Sequence, residues 1–179
     1  MDYQIRLVQA GDEWLLNDFY SQNKAHLTPW EPARAANFYS VEHWCERIAV
    51  LLQAHERQIA FSFVILDQNE QQVLGVINYT SVSGYPLYAC NLGYALAESA
   101  QHKGIMRSAL AITNGWMFEQ MNLHRIMACY IPRNLASEKV LKSLNFQHEG
   151  TAQDYLLING KWETHHLTSL VNPNWTSNF

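Results

Sequence analysis

Apolar and polar residues alternate from Ile5 to Val8, the two-residue period of a strand. Gly11-Asp12 then leads into Trp14, Leu15, Asp18 and Phe19, which suit a helix with Asp12 as its cap. Pro29 and Pro32 break regular structure between His26 and Asn37, and Leu27, Trp30, Phe38 and Tyr39 make this stretch a packed surface loop rather than a linker. Ser40, with Glu42 and His43 behind it, opens a second helix through Trp44, Ile48, Leu51 and Leu52. The β-branched and aromatic runs 59–66 and 73–79 flank the turn cluster Asp67-Gln68-Asn69-Glu70 and predict a hairpin.

Tyr88, Cys90, Leu92, Tyr94 and Leu96 alternate with Ala89, Asn91, Gly93 and Ala95, so this run is another strand. Gly93 inside it marks a bulge or a close approach to the backbone. Ile105, Ala109, Ile112 and Trp116, with Met106, Leu110, Thr113 and Met117 beside them, form the broad apolar face of a helix packed on a sheet. A short strand, 126–131, ends at Pro132, and a short helix, 134–144, ends near Asn145. The runs 155–158 and 162–170 flank Asn159-Gly160, a strong hairpin signal. The predicted order, β α α β β β α β α β β, is an α/β fold: a mixed sheet of about seven strands with helices on its faces.

The 179 residues suit a single domain, 1–179, and the 48% apolar fraction supplies a core without disulfides or metal. Charged residues are only 16% and aromatics 12%, which excludes a disordered chain. A net charge of −4 gives no broad positive field, so direct binding to nucleic acid is not expected and any anion must be met locally. The N-terminal stretch Met1 to Arg6 has neither the basic start nor the apolar run of a signal peptide, and no run approaches the roughly 20 apolar residues of a membrane span. A cytoplasmic protein without membrane contact is the expectation. Cys45, Cys90 and Cys129 lack CxxC spacing, so they read as buried or incidental thiols.

The chemistry concentrates in Leu92 to Leu96 and the following Gln101-His102-Lys103-Gly104-Ile105-Met106-Arg107, a strand, a short loop and a helix start. Free N–H groups at a helix start, the helix dipole and the room at Gly104 would receive a phosphate, with Lys103 and Arg107 as cationic contacts. An ordinary turn with a solvated Lys and Arg has the same local sequence. Neither GxGxxG nor GxxxxGK[ST] is present.

Gln101-x-x-Gly104-x-Met106 resembles the pyrophosphate loop of the GCN5-related N-acetyltransferases, with Met106 where the family commonly has Gly or Ala. A second block agrees in order: His124-Arg125-Ile126, then Asn134-x-x-Ser137, then Leu144-Asn145-Phe146 where Leu-Gly-Phe is usual. Leu27-Thr28-Pro29-Trp30-Glu31-Pro32, Asp154-Tyr155-Leu156-Leu157-Ile158 and Asn172-Pro173-Asn174-Trp175 are similar to the subgroup that acetylates the N-terminal alanine of ribosomal proteins, in its RimJ-like branch. The resemblance spans essentially the whole chain.

What it implies is a mostly antiparallel sheet of about seven strands, helices on both faces, and a splayed V at the cofactor strand. Acetyl-CoA would be the co-substrate, with its pantetheine along Tyr94, Ala95 and Leu96. Its pyrophosphate would lie on Gln101, His102, Lys103, Gly104, Ile105, Met106 and Arg107, with further contacts at Asn134 and Ser137. A backbone N–H near Leu96 would stabilise the oxyanion. Many members protonate the leaving thiolate with a tyrosine, but that position is Leu141 here, and Ser137 is the substitute, with Tyr155 as an alternative. Trp30, Glu31, Arg34 and Tyr39 would line the acceptor site.

An N-terminal amine titrates at about 7.7–8.0 and a lysine at about 10.4, so the former is neutral in roughly a tenth of molecules at pH 7, an advantage of about 3.5 kcal/mol. A modest base suffices, and Asp154 is the candidate, with Glu98 and Glu149 as alternatives. The function implied is transfer of acetyl to the Ala or Ser α-amine of a ribosomal protein. The rivals are a small-amine acceptor, such as a polyamine or aminoglycoside, and a catalytically silent acyl-CoA-binding module. A monomer or weak homodimer is expected. No metal is expected, because His165 and His166 point to opposite faces of a strand and His43 and His55 lack ligand spacing on one helix.

Overall fold

The apolar run Phe61–Asp67 is buried on both sides and lies second from one edge of a single seven-stranded sheet. The structure, a computed structural model, describes residues 3–177, so Met1 and Asp2 of the N-terminal stretch lie outside the described residues. In chain order the strands are β1 (Tyr3–Leu7), β2 (Phe61–Asp67), β3 (Val73–Ser83), β4 (Ala89–Leu96), β5 (Arg125–Tyr130), β6 (Gln147–Ile158) and β7 (Lys161–Val171). Across the sheet they run β1-β2-β3-β4-β5-β7-β6. Every neighbouring pair is antiparallel except β4 and β5, which are parallel. The main helices are α1 (Glu13–Gln22), α2 (Lys24–Leu27), α3 (Val41–Glu56), α4 (Ile105–Gln120) and α5 (Leu135–Ser143).

Strand alternation divides the apolar residues between two cores. Phe61, Phe63 and Ile65 face α4 and α5 through Met106, Ala109, Leu110, Met117 and Leu141. Val64 and Leu66 face α1 and α3 through Leu16, Phe19, Tyr20, Trp44 and Ile48. The expected mixed sheet with helices on both faces is therefore the fold observed. A buried polar group fixes α4 on the sheet: the Tyr79 hydroxyl donates to Asn114 Oδ1 at 2.7 Å and lies 2.8 Å from Thr113 Oγ1. Burial holds the phenol above its ordinary pKa, so it remains a donor.

Several local expectations need correction. Asp12 precedes α1, but its carboxylate makes no cap bond; Arg6 takes both oxygens at 2.7 Å and the Gln9 N–H donates at 2.9 Å. Trp14 is 71% exposed and Ile112 is 59% exposed, each on the solvent side of its helix. The predicted loop 26–37 contains α2 and 3-10 turns at Thr28–Trp30 and Ala36–Tyr39. β6 starts at Gln147, eight residues before the predicted start, because its polar edge residues carry no periodic signal. Gly93 forms no bulge: it pairs with Asn78 in regular register, and a Cβ there would meet open space.

Close approach occurs instead at Gly75, where a Cβ would lie 2.8 Å from the Ala95 carbonyl oxygen and 3.0 Å from Leu96 Cδ1. The obstructing atom is backbone of β4 and cannot swing away. Gly75→Ala should therefore destabilise the protein by about 1–3 kcal/mol, the usual cost of overpacking, read as a lower urea midpoint. An unchanged midpoint would show that β3 and β4 separate freely.

Candidate active site

The parallel pair β4/β5 is short. Ala89 to Leu92 pair with Arg125 to Ala128, and beyond that point β4 continues with β3 through Leu96 while β5 continues with β7 through Tyr130. The sheet opens there into a V. The space beside Gly93 lies on this open half of β4.

Tyr94 spans the opening from the β4 side. Its hydroxyl lies 2.8 Å from Ser137 Oγ and 3.3 Å from the Ser137 carbonyl oxygen, at the start of α5. Asn134 caps α5, its Oδ1 accepting the Ser137 N–H at 3.1 Å. Three predicted site residues, Tyr94, Asn134 and Ser137, are thus brought together. Burial pushes the Tyr94 phenol above its ordinary pKa and keeps it protonated. Leu141 is 1% exposed and packed in the core, so the common tyrosine position offers no group to the V.

From β4 the chain passes through a 3-10 turn, Glu98–Ala100, into the loop before α4. His102 (φ +60°) and Gly104 (φ +73°) are left-handed, which turns the chain so that Gly104 caps α4. Lys103 and Arg107 are exposed and make no ion pair among the described residues. Met106 is 4% exposed with its side chain in the core, so its departure from the small-residue pattern removes nothing from the main chain facing the loop. Ile105 packs against both cores. Two side chains tie the loop to the first helices: buried Asn23 accepts the Glu98 N–H at 3.0 Å, and His26 Nε2 lies 3.1 Å from Gln101 Nε2.

Three of the four candidate acceptor residues share one cavity and the fourth lies outside it. Glu31, Arg34 and Tyr39 line one of about 150 Å³ with Tyr20, Lys24 and Leu27. Trp30 is absent from that lining and instead receives the Arg133 guanidinium 5.6 Å from its ring centroid. Arg133 belongs to a second, open cleft of about 360 Å³ with Asp154, Lys161, Trp162 and Glu163. Asp154 is exposed and left-handed (φ +46°), in the irregular stretch of β6 between Ala152 and Leu156. Tyr155 lines neither cavity and rests 5.7 Å from the His165 ring. Of the alternative bases, Glu149 is bound to Arg125 and Ser169 at the far end of β5, away from the V.

Glu163 and Arg133 are site residues that the sequence reading missed. Glu163 Oε2 accepts from Arg133 at 2.7 Å, and Oε1 lies 3.5 Å from Lys161 Nζ. Its hydrogen bond to Arg133 holds the carboxyl below its usual pKa against the opposing effect of desolvation. A signal existed: Glu163 shares strand parity with buried His165, and a carboxylate at an inward position is rarely idle. His165 and His166 do face opposite ways, toward Tyr155 and toward Tyr130 and His148 respectively, and no group of three metal-ligating side chains occurs among the described residues.

The Arg133–Glu163 pair fixes the sign of a pH effect. An unfolded Glu titrates near about 4.3 and the native one lower, so the stabilisation is complete above that value and lost as pH falls through the native pKa. Glu163→Gln should flatten the acid limb of the stability curve below about pH 5, followed by the urea midpoint at each pH. An acid limb identical to wild type would contradict the assignment.

A family model for the acetyltransferase (GNAT) domain matches residues 4–147. The chain is 40% identical over 172 residues to the [ribosomal protein uS5]-alanine N-acetyltransferase of Escherichia coli (strain K12), covering 96% of this chain and 89% of that protein. The crystal structure of ribosomal-protein-S5-alanine acetyltransferase from Vibrio fischeri superposes with a TM-score of 0.96 at 44% identity, over 99% and 97% of the two chains. Mycobacterium smegmatis RimJ in complex with CoA-disulfide superposes with a TM-score of 0.88 at 27% identity, over 94% and 81%.

Proposed function

Because the chain belongs to the GNAT acetyltransferase domain family, we propose that it uses acetyl-CoA to acetylate the N-terminal α-amine, on Ala or Ser, of a ribosomal protein. The observation that carries the reading is the V between β4 and β5 with the Tyr94–Ser137 pair at its mouth. The residues fit a CoA group: an unpaired strand edge, open space at Gly93, a left-handed loop and two unpaired cations at one helix start. Tyr94 to Leu96 would hold the pantetheine arm, and Gln101 to Arg107 the pyrophosphate, with Asn134 shaping the far wall. Acetyl-CoA supplies an acetyl group activated as a thioester.

The chain's own side chains then manage two protons. Asp154, in the cleft with Arg133 and Glu163, takes the proton released by the attacking amine, through water. Ser137, whose Oγ lies 2.8 Å from the Tyr94 hydroxyl, gives a hydrogen bond to the departing sulfur. Burial keeps the Tyr94 phenol protonated, so it adds no negative charge beside the departing sulfur. Glu31, Arg34 and Tyr39 line the acceptor's path, and Trp30 is fixed by Arg133 at the boundary between the two cavities.

Purified protein incubated with acetyl-CoA and a panel of Ala- and Ser-starting peptides, polyamines and aminoglycosides should acetylate the peptides, read as thiol release and product mass. Acetylation of small amines alone would reassign the acceptor, and binding of the cofactor without turnover would leave a silent module. Ser137→Ala should lower kcat by about 100-fold or more with little change in KM for acetyl-CoA, and Tyr94→Phe should lower it less. Asp154→Asn should lower kcat for the peptides about tenfold or more at every pH from 6 to 9, read from initial rates; unchanged rates would reject Asp154 as the base.

A further inference from the structure

The cavity of about 150 Å³ beside α2 has an uncompensated charge and an unused donor. Glu31 and Arg34 neutralise each other across 2.9 Å. Lys24 is different: its ammonium is held 4.4 Å from the Tyr39 ring centroid and makes no ion pair among the described residues. Tyr20 reaches the same cavity from below. Its ring is 8% exposed, stacked on Trp44 at 5.1 Å and edge-on to Phe19 and Phe38, so only the hydroxyl end can meet the cavity. That hydroxyl has no hydrogen-bond partner among the described residues. Burial and the nearby Glu31 carboxylate keep the phenol protonated, as a donor.

A fixed ammonium and a buried, unpartnered donor facing one small space select an anion that also accepts a hydrogen bond. A cationic group would meet Lys24, and the one carboxylate able to receive it is already occupied by Arg34. The volume admits one side chain. We infer that this cavity is a specificity subsite for a carboxylate side chain, Asp or Glu, carried within the first few residues of the acceptor polypeptide. The inference rests on the N-terminal acetylation reading and adds to it a rule for which acceptors are preferred.

The test uses Ala-starting octapeptides in which Glu and Gln alternate at one position at a time, from the second to the fifth. At one position the Glu peptide should have a KM about three- to tenfold below its Gln partner, with kcat unchanged, as expected for a single partly solvated charge pair. Lys24→Met and Tyr20→Phe should each bring that ratio to about one by raising the KM of the Glu peptide toward that of its Gln partner. Tyr20→Phe keeps the ring and its stack on Trp44, so a merely structural role would not move the ratio. No preference at any position, or a preference that survives both substitutions, overturns the subsite. If no peptide is acetylated, the acetylation reading falls, and calorimetric titration of the same peptides judges the cavity separately. Tighter binding of Glu than Gln by wild type but not by Lys24→Met supports the subsite, and equal binding overturns it.

Discussion

The separation of β4 from β5 is the constraint on which the rest of the molecule depends. Both strands must be paired somewhere, because buried backbone without partners costs too much. β4 therefore keeps to β3, with the Ala97 N–H bonded to the Leu74 carbonyl at 2.8 Å, and β5 keeps to β7 as far as Tyr130 and His166. The absence of a side chain at Gly75 lets β3 follow β4 closely along its departing half. At the other end the V is closed by the tail. Asn172 donates to the Leu123 carbonyl, Trp175 donates to the Asn122 carbonyl, and the Trp175 ring lies against Tyr88 and His124. The strands are pinned where they meet and free where they part.

Charge follows the same geometry. The net charge of −4 is spread over a surface where many cations are already engaged: Arg6 with Asp12, Arg34 with Glu31, Arg125 with Glu149, Arg133 with Glu163. Lys103 and Arg107 stand outside these pairs and flank the loop at the mouth of the V. A protein with a weak overall field can still hold an anion where two unpaired cations stand close together at one helix start.

Much of this was legible in the sequence where periodicity and turn chemistry agree. Ser40 caps α3 by accepting the His43 N–H, Asp67 closes the β2–β3 turn by accepting from Gln71 and Gln72, and Asn159 and Gly160 both take the positive φ of a two-residue hairpin turn. The loop from Gln101 to Arg107 and the pair Asn134 and Ser137 were legible as motifs. Less was visible where tertiary partners decide. Asp12 serves Arg6 instead of α1, β6 hides its first half behind polar edge residues, and Trp30 lies outside the cavity that Glu31, Arg34 and Tyr39 share, which no local pattern announces. Glu163 takes its role from Arg133, thirty residues away, a partner that no local pattern announces.

Asn23 and His26 sit on the segment that walls the smaller cavity, and their side chains reach the loop through Glu98 and Gln101. A cavity and a loop built from distant stretches of chain thus share a strut. A ligand that shifted the loop would act on the cavity wall through these two bonds, and free energy linked in this way is reciprocal: whatever the first ligand does for the affinity of the second, the second does equally for the first. The contacts between α2 and the loop before α4 would then decide how strongly the two places feel each other.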